Sequence, residues 1–262
     1  MRGKEGVHSV SSPRTEVSEG CTEAERQARV DLAALHRLID FHYGPGEGIY
    51  NHISMRVPGE PDQFLLKSHS LLYREVTASN LIKVPLNQDL DESSHVNRPG
   101  FTLHGAILSA RLDVNCAIHL HSNVGLAMAA HRRGLRMLSQ NSIRFYHRLG
   151  YHDYQGIVDD FSERPQIIAA LGGSNIALIL RNHGLVTVGK SARDAFERMR
   201  DLIISCETQL MLEATCDAGI DIPDEICARV AEQYVRHDSG RGTADWPAWL
   251  RLIDSVEPSY KE

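Results

Sequence analysis

The amino-acid sequence predicts an α/β fold in which a largely antiparallel central sheet is flanked by helices. The composition, with 42% hydrophobic and 24% charged residues, is that of an ordinary folded domain. Segments of helical periodicity alternate with short apolar segments, but without a strict β-α-β rhythm. A chain of 262 residues suits one large domain. We expect residues 21–262 to form it and residues 1–20, rich in Ser, Glu and Gly, to be a disordered lead-in.

The first elements follow from local signals. Thr22 followed by Glu25 is the pattern of a capping box and predicts a helix that runs to about Phe41. Glycines then interrupt the helix, and the residues after them predict strands over 49–57 and 64–67 joined by a proline-containing turn.

The later elements alternate between the two periodicities. Thr77 or Ser79 is expected to cap a short helix, and Ser191 to cap a long one with apolar residues three and four positions apart. Further helices are expected over residues 101–111, 124–132, 165–171, 224–235 and 246–253. Further strands are expected over residues 116–121, 175–180 and 185–188.

Composition and charge exclude several classes of function. The net charge of -6 argues against a nucleic-acid scaffold, which needs a basic surface to neutralise phosphates. The sequence has no apolar run near the roughly 20 residues that cross a membrane, and its first residues lack the apolar core of a signal peptide. Five cysteines without a C-x-x-C pair indicate reduced thiols. We therefore expect a cytoplasmic protein with small-molecule partners.

Two histidines end a predicted strand. His119 and His121 are one residue apart, and alternation along a strand turns both side chains to the same face. A third, His183, follows another apolar strand, and Gly184 after it permits close backbone approach. Three imidazoles can hold a divalent metal and leave coordination positions open. Spacing alone leaves a second interpretation, in which His119 and His121 are the polar end of a core strand.

The chain from about residue 22 to the C-terminus resembles the class II aldolase/adducin family. The segments that carry the resemblance are Leu103-His104, residues 117–122 (AIHLHS), residues 151–156 (YHDYQG) and residues 180–185 (LRNHGL). The resemblance implies the sandwich-like class II aldolase fold. It also implies that His119, His121 and His183 hold one catalytic metal, and that the protein is a homo-oligomer, a tetramer in most of the family, with sites between subunits.

One position departs from the sugar-phosphate aldolases of that family. They carry an acidic residue four positions before the histidine that matches His104, and this chain has Gly100 there. Glycine can neither bind a metal through a side chain nor move a proton. The phosphate-binding pairs of the aldolases match Asn51-His52, His69-Ser70 and Arg98-Pro99, so a phosphorylated substrate is not expected.

This departure favours an oxygenase. A neutral three-histidine site can take a 2-oxo acid and dioxygen if the metal is Fe(II). The non-haem iron oxidative decarboxylases of aminocoumarin antibiotic pathways are similar in this respect. They shorten a prenylated 4-hydroxyphenylpyruvate towards a prenylated 4-hydroxybenzoate. The alternatives are a Zn(II)-dependent aldolase or lyase on a non-phosphorylated substrate, and an adducin-like binding module without chemistry.

Further residues are candidates for contact with substrate. Arg98 and Arg144 can pair with a carboxylate, although a lone arginine also serves in structural ion pairs. His104 lies on the predicted helix before the first metal histidine and Gly100 in the turn that leads to it, and His104 can equally be a hydrogen-bonded core residue. The remaining candidates lie in a polar and aromatic segment that can also serve packing or an interface: Gln140, Tyr146, Tyr151 and Tyr154.

Overall fold

The computed structural model describes residues 20–46, 48–88, 90, 94–157, 161–240 and 244–262. The expectation of a disordered lead-in falls on residues 1–20, of which all but Gly20 lie outside the described residues.

A seven-stranded sheet forms the centre of the fold. Its strands are β1 (His52–Val57), β2 (Glu60–Lys67), β3 (Leu81–Pro85), β4 (Cys116–Leu120), β5 (Leu149–His152), β6 (Ala177–Leu180) and β7 (Gly184–Gly189). Their order across the sheet is β3-β2-β1-β4-β7-β6-β5. The pair β5–β6 is parallel and every other neighbouring pair is antiparallel. The sheet is thus mixed and, as predicted, largely antiparallel.

Helices cover both faces of the sheet. They are α1 (Glu23–Tyr43), α2 (Arg98–Ala110), α3 (Asn123–Ala129), α4 (Gln140–Ile143), α5 (Arg164–Leu171), α6 (Ala192–Ala214), α7 (Asp224–Gly240) and α8 (Asp245–Val256). Among the described helices, none combines the length and the apolar character that crossing a membrane would require.

The ends of the two long helices follow the sequence signals. Thr22 Oγ1 accepts a hydrogen bond from the backbone N–H of Glu25 at 3.1 Å, and Ser191 Oγ accepts one from Asp194 at 3.2 Å. Both predicted N-caps are therefore confirmed. The carboxylate of Glu25 does not complete a capping box, because it pairs with Arg29 at 2.9 Å and Lys83 at 3.0 Å.

Two hydrophobic clusters sandwich the sheet. One contains residues of α1 and α6, among them Leu35 and Phe196, and the other contains residues of α2 and α5, among them Phe101 and Ile167. Ile118 of β4 belongs to the first cluster and its neighbour Ala117 to the second. Strands buried on both faces read as continuous apolar runs, which is why β4, β6 and β7 could be found in the sequence.

One predicted helix is wrong, and three elements, β3, α4 and β5, were not predicted. The expected helix after Thr77 or Ser79 is wrong: residues 77–80 form a turn, in which Thr77 N–H donates to Asn80 Oδ1 at 2.9 Å, and strand β3 follows. The four-residue elements α4 and β5 were not predicted either. Four residues complete barely one helical turn and two alternations, so neither periodicity can establish itself in the sequence.

Candidate metal centre

Strand β4 presents the first two histidines of the site. It lies in the middle of the sheet, between β1 and β7, and pairs with both. His119 is within the strand, 1% exposed, and His121 follows immediately after its end. The sheet alternation predicted for this pair holds, because their Nε2 atoms lie 2.7 Å apart.

His183 completes a three-histidine cluster. Its ring centroid lies 4.9 Å from that of His119 and 4.9 Å from that of His121. One nitrogen from each of the three side chains falls within 4.8 Å of the other two. The sequence therefore identified three side chains that converge in space, although His183 is more than sixty residues away along the chain.

The hydrogen bonds of His119 orient its lone pair towards this cluster. Nδ1–H donates to the backbone carbonyl of Leu185 at 3.0 Å, which leaves Nε2 unprotonated and facing His121. Burial, followed by the neighbouring histidines His121 and His183, holds the pKa of His119 well below its ordinary value. A neutral imidazole whose second nitrogen is fixed by a carbonyl is the usual form of a metal ligand. The donor set fits a divalent ion such as Zn(II) or Fe(II).

A tight turn brings His183 to the cluster. His183 N–H donates to Leu180 O at 3.0 Å, and the preceding Asn182 has a φ of 56°, in the left-handed region that asparagine tolerates. Gly184 follows, where a Cβ atom would lie 2.8 Å from Leu120 O and 2.9 Å from His121 Cδ2. The close backbone approach expected at Gly184 is therefore present.

A buried asparagine fixes the end of β4. Asn51, 7% exposed, accepts a hydrogen bond on Oδ1 from the backbone N–H of His121 at 2.8 Å. His121 lies just beyond the strand, so this bond holds its backbone where the ladder has ended. The side chain of Asn51 thus supports a histidine of the cluster.

A second histidine pair lies behind the cluster. His52 is the cross-strand partner of His119 in the pairing of β1 with β4, and the two ring centroids are 4.7 Å apart. His52 Nδ1 shares a hydrogen bond of 2.7 Å with His104 Nε2, and His104 Nδ1 shares one of 2.6 Å with Ser54 Oγ. Burial lowers the pKa of His104 to about 3. His104 is therefore a hydrogen-bonded core residue that reaches the site through His52.

A side chain at position 100 would collide with the imidazole of His52. Gly100 lies in the first turn of α2, and a Cβ atom there would be 2.9 Å from both Cγ and Cδ2 of the His52 imidazole. Real Cβ contacts are not this short, so a side chain at position 100 and the present position of His52 exclude each other. The described structure thus places His52 in the space that a side chain at position 100 would enter.

Three other predicted residues lie on α2, on β5 and just after β5. Arg98 is exposed at the first position of α2. Tyr154 is 54% exposed, with its ring 6.3 Å from that of His183. Tyr151 on β5 has a packing role, because its hydroxyl accepts from Leu135 N–H at 3.0 Å and Arg181 lies 4.3 Å over its ring.

The last three predicted residues lie elsewhere. Arg144 is buried, donates to Asp201 at 2.5 Å and to Asp238 at 2.9 Å, and lines a separate cavity of about 670 Å³ beside α6 and α7 together with Gln140. Tyr146 is half-buried and its pKa is raised by burial and by the nearby Asp224. None of the three is among the described side chains that converge on the histidine cluster.

The sequence did not single out His52 and Asn51 as parts of the site. A signal was present, since both stand at the start of a strand whose partner carries His119. Finding it would have required the β1–β4 pairing, which joins residues about sixty-five positions apart.

Comparison with known proteins identifies the family to which this chain belongs. The family model "Class II Aldolase and Adducin N-terminal domain" matches residues 30–210. The chain therefore belongs to the class II aldolase/adducin family.

Two relatives illustrate the range of that family. The chain is 38% identical over 248 residues to a protein of Caulobacter vibrioides named "Putative aldolase class 2 protein", with 92% of this chain and 94% of the relative covered. It is also 38% identical over 254 residues to alpha-adducin of Rattus norvegicus, with 89% of this chain and 34% of the adducin covered. The chain thus spans about a third of the adducin.

Solved structures agree with this family assignment. An aldolase II superfamily protein from Pseudomonas syringae superposes with a TM-score of 0.83 at 36% identity, covering 92% of this chain and 97% of the other. L-fuculose 1-phosphate aldolase from Glaciozyma antarctica superposes with a TM-score of 0.78 at 26% identity, covering 91% and 93%. Nothing in these comparisons supports the more specific resemblance to iron-dependent oxidative decarboxylases.

Proposed function

We propose that this protein is a divalent-metal-dependent carbon–carbon lyase that acts on a small, non-phosphorylated 2-oxo acid. The observation that carries the proposal is the convergence of His119, His121 and His183, whose ligand nitrogens lie within 4.8 Å of one another. With three protein ligands, coordination positions remain for a substrate that chelates. A carboxylate and an adjacent ketone form such a chelate, and a bound Zn(II) would act as a Lewis acid on the ketone.

The polar groups around the cluster support the non-phosphorylated substrate. Asn51 Oδ1 is bound by His121 N–H, and His52 Nδ1 by His104. His69 Nδ1 lies 3.1 Å from Asn97 Nδ2. Asn51 Oδ1, His52 Nδ1 and His69 Nδ1, at positions that match phosphate-binding pairs of the aldolases, are thus engaged in hydrogen bonds within the protein.

The reaction we propose is a retro-aldol cleavage of a 4-hydroxy-2-oxo acid. The C3–C4 bond breaks, its electron pair moves to C3, and the 4-hydroxyl loses its proton as C4 becomes an aldehyde. A proton returned to C3 gives pyruvate. The L-fuculose 1-phosphate aldolase that shares the fold is an aldolase by name, which favours this class of reaction.

Oxidative decarboxylation of an aromatic 2-oxo acid by Fe(II) and dioxygen is the second candidate. It is favoured by one observation, that the cluster offers three imidazoles and Gly100 adds no carboxylate, which suits an ion that must also bind dioxygen. The relatives favour the lyase, so we place the oxygenase second. An adducin-like binding module without chemistry is the third possibility.

Metal analysis and paired assays test the proposal. The purified protein should hold about one divalent ion per chain, and His119→Ala or His183→Ala should lose it while circular dichroism stays unchanged. His237→Ala, an exposed histidine on α7, is the matched control. A panel of 4-hydroxy-2-oxo acids should yield pyruvate equally with and without oxygen.

Each other outcome favours a different candidate. Oxygen uptake with Fe(II) and an arylpyruvate would replace the lyase with the oxygenase. A folded protein that retains no metal would reject both enzymes and favour the binding module. Metal retained at full stoichiometry in His183→Ala would reject the three-histidine assignment itself.

A further inference from the structure

His52 is held by a chain of hydrogen bonds, and the buried groups of the chain determine which atom of each link donates. The chain runs from Ser54 Oγ to His104 Nδ1 at 2.6 Å, and from His104 Nε2 to His52 Nδ1 at 2.7 Å. Each link needs one proton, and two arrangements are possible. Either every proton points from Ser54 towards His52, or every proton points the other way.

The serine hydroxyl decides between them. Ser54 is fully buried, and among the described residues its Oγ has no hydrogen-bond partner other than His104. If His104 donated to Ser54, the serine proton would be buried without an acceptor, which is unfavourable. In the opposite direction Ser54 O–H donates to His104 Nδ1 and His104 Nε2–H donates to His52 Nδ1. Both links then have a donor and an acceptor, and the serine proton has its acceptor.

The direction of the chain fixes the tautomer of His52. With Nδ1 accepting, the ring proton of the neutral imidazole must be on Nε2. Nε2 has no hydrogen-bond partner among the described residues. The ring lies 4.7 Å from that of His119, on the strand next to the first histidine of the cluster. A rigid N–H donor therefore stands beside the candidate metal centre.

We propose that His52 donates a hydrogen bond from Nε2 to an anionic oxygen of the substrate bound at the three-histidine cluster, and that Ser54 and His104 are positioning residues that hold this donor. The inference rests on the proposed function in one respect, that the cluster binds a chelating anion. A fixed donor stabilises negative charge that develops on a substrate oxygen, without the reorganisation that a water molecule would need.

Gly100 belongs to the same arrangement. Its missing side chain leaves room for the His52 ring, since a Cβ atom at position 100 would be 2.9 Å from Cγ and Cδ2 and 3.3 Å from Nε2. Together with the packing against His119, at an angle of 34° between the two ring planes, this contact restricts the His52 ring. The donor is thus fixed by packing as well as by hydrogen bonds.

Nitrogen-15 NMR of histidine-labelled protein tests the tautomer directly. We expect protonated Nε2 and unprotonated Nδ1 for both His52 and His104, in the metal-free and the zinc-loaded protein. The opposite tautomer, with Nδ1 of His52 protonated, would overturn the inference and would make His52 Nε2 a candidate fourth metal ligand. This measurement needs neither bound metal nor activity, so it decides the inference even if the lyase proposal fails.

Oxalate binding to the zinc-loaded protein tests the role of the donor. His52→Phe keeps a ring against His119 but removes the donor, and we expect oxalate to bind about 10- to 100-fold more weakly at unchanged zinc content. Ser54→Ala should weaken binding in the same direction, and His52→Gln, which keeps an N–H donor, should recover part of it. Ser205→Ala is the matched control, because Ser205 is also buried and donates to Asp201 O within α6.

The results separate the two proposals. Unchanged oxalate affinity in His52→Phe with full zinc content would overturn the role of His52 and leave the lyase proposal intact. If the unaltered protein binds no zinc, the lyase proposal fails and the NMR measurement alone judges the hydrogen-bond chain.

Discussion

Gly184 lies against the imidazole of His121 so closely that a Cβ atom on the glycine would be 2.9 Å from Cδ2 of the ring. The same Cβ atom would be 2.8 Å from the backbone oxygen of Leu120 and 3.3 Å from Cε1 of His119. A side chain at position 184 would therefore press on two of the three candidate ligands and on the backbone between them. Close approach of this turn to β4 is a condition for the geometry of the cluster.

Replacing this glycine should loosen the metal site. We expect Gly184→Ala to lower zinc affinity by roughly 10- to 100-fold, the usual loss when the support of a metal ligand is disturbed. Competition with a chromophoric chelator measures the affinity. Gly173→Ala is the control, since no atom lies within 4 Å of its Cβ position. Equal zinc affinity in the two variants would show that Gly184 has no part in shaping the site.

Filling the space at Gly100 should displace His52. Gly100→Ala adds only the Cβ atom, and overpacking of this kind costs about 1–3 kcal/mol of the free energy of unfolding. Gly100→Glu adds a carboxylate as well, which we expect to hold or raise metal affinity while turnover of an anionic substrate falls. Urea unfolding, metal content and turnover measured on both variants separate the clash from the charge. Higher lyase activity in Gly100→Glu would contradict the prediction.

The buried ion pairs of Arg144 with Asp201 and Asp238 should matter for stability rather than for turnover. Arg144 and Asp201 have side chains 6% and 10% exposed and lie 2.5 Å apart. Removing one partner of a buried pair strands the other charge. We expect Asp201→Ala to lower the free energy of unfolding by roughly 3 kcal/mol, at the lower end of the usual range because Asp238 remains. Glu23→Ala, which breaks an exposed pair with Arg26, should change it by less than about 1 kcal/mol.

His36 should make stability depend on pH in the acid range. The side chain is fully buried, Nδ1–H donates to Leu32 O at 2.7 Å, and burial lowers its pKa from 6.5 to about 3. Between these values the unfolded chain binds a proton that the folded chain does not, so stability falls as pH falls. His36 alone accounts for about 1.4 kcal/mol per pH unit.

His36→Leu should reduce the slope of the free energy of unfolding by that amount between about pH 6 and pH 4. Urea titrations at several pH values measure the slope. A slope identical to that of the unaltered protein would mean that His36 is protonated in the folded state.

The protein should associate with itself. The family resemblance implies a tetramer, and apolar side chains near the site are exposed, with Tyr154 at 54% and Ile157 at 75%. Sedimentation velocity should show a homo-oligomer, and Ile157→Asp should shift it towards smaller species. A monomer with full activity would contradict this expectation.

The three-histidine cluster could be predicted from the sequence because the signals that indicate it are local. His119 and His121 alternate on one strand, and His183 stands beside a glycine at a strand end. The roles of the aromatic segment and of Arg144 could not be found in this way, because they depend on α6 and α7, which come together with that segment only in the folded chain. The role of His52 could not be predicted for the same reason, since it depends on His119, the partner of His52 across the sheet.

The position of β4 between two partner strands has a consequence for how an ion enters. Backbone amides in the middle of a sheet exchange with solvent deuterium only when the whole domain opens. We therefore expect the strand that carries His119 to open slowly, whereas His183 lies on a turn next to Asn182, whose backbone is in the left-handed region. Exchange of the ion should follow the movement of the His183 turn, and its rate should be faster than the deuterium exchange of β4.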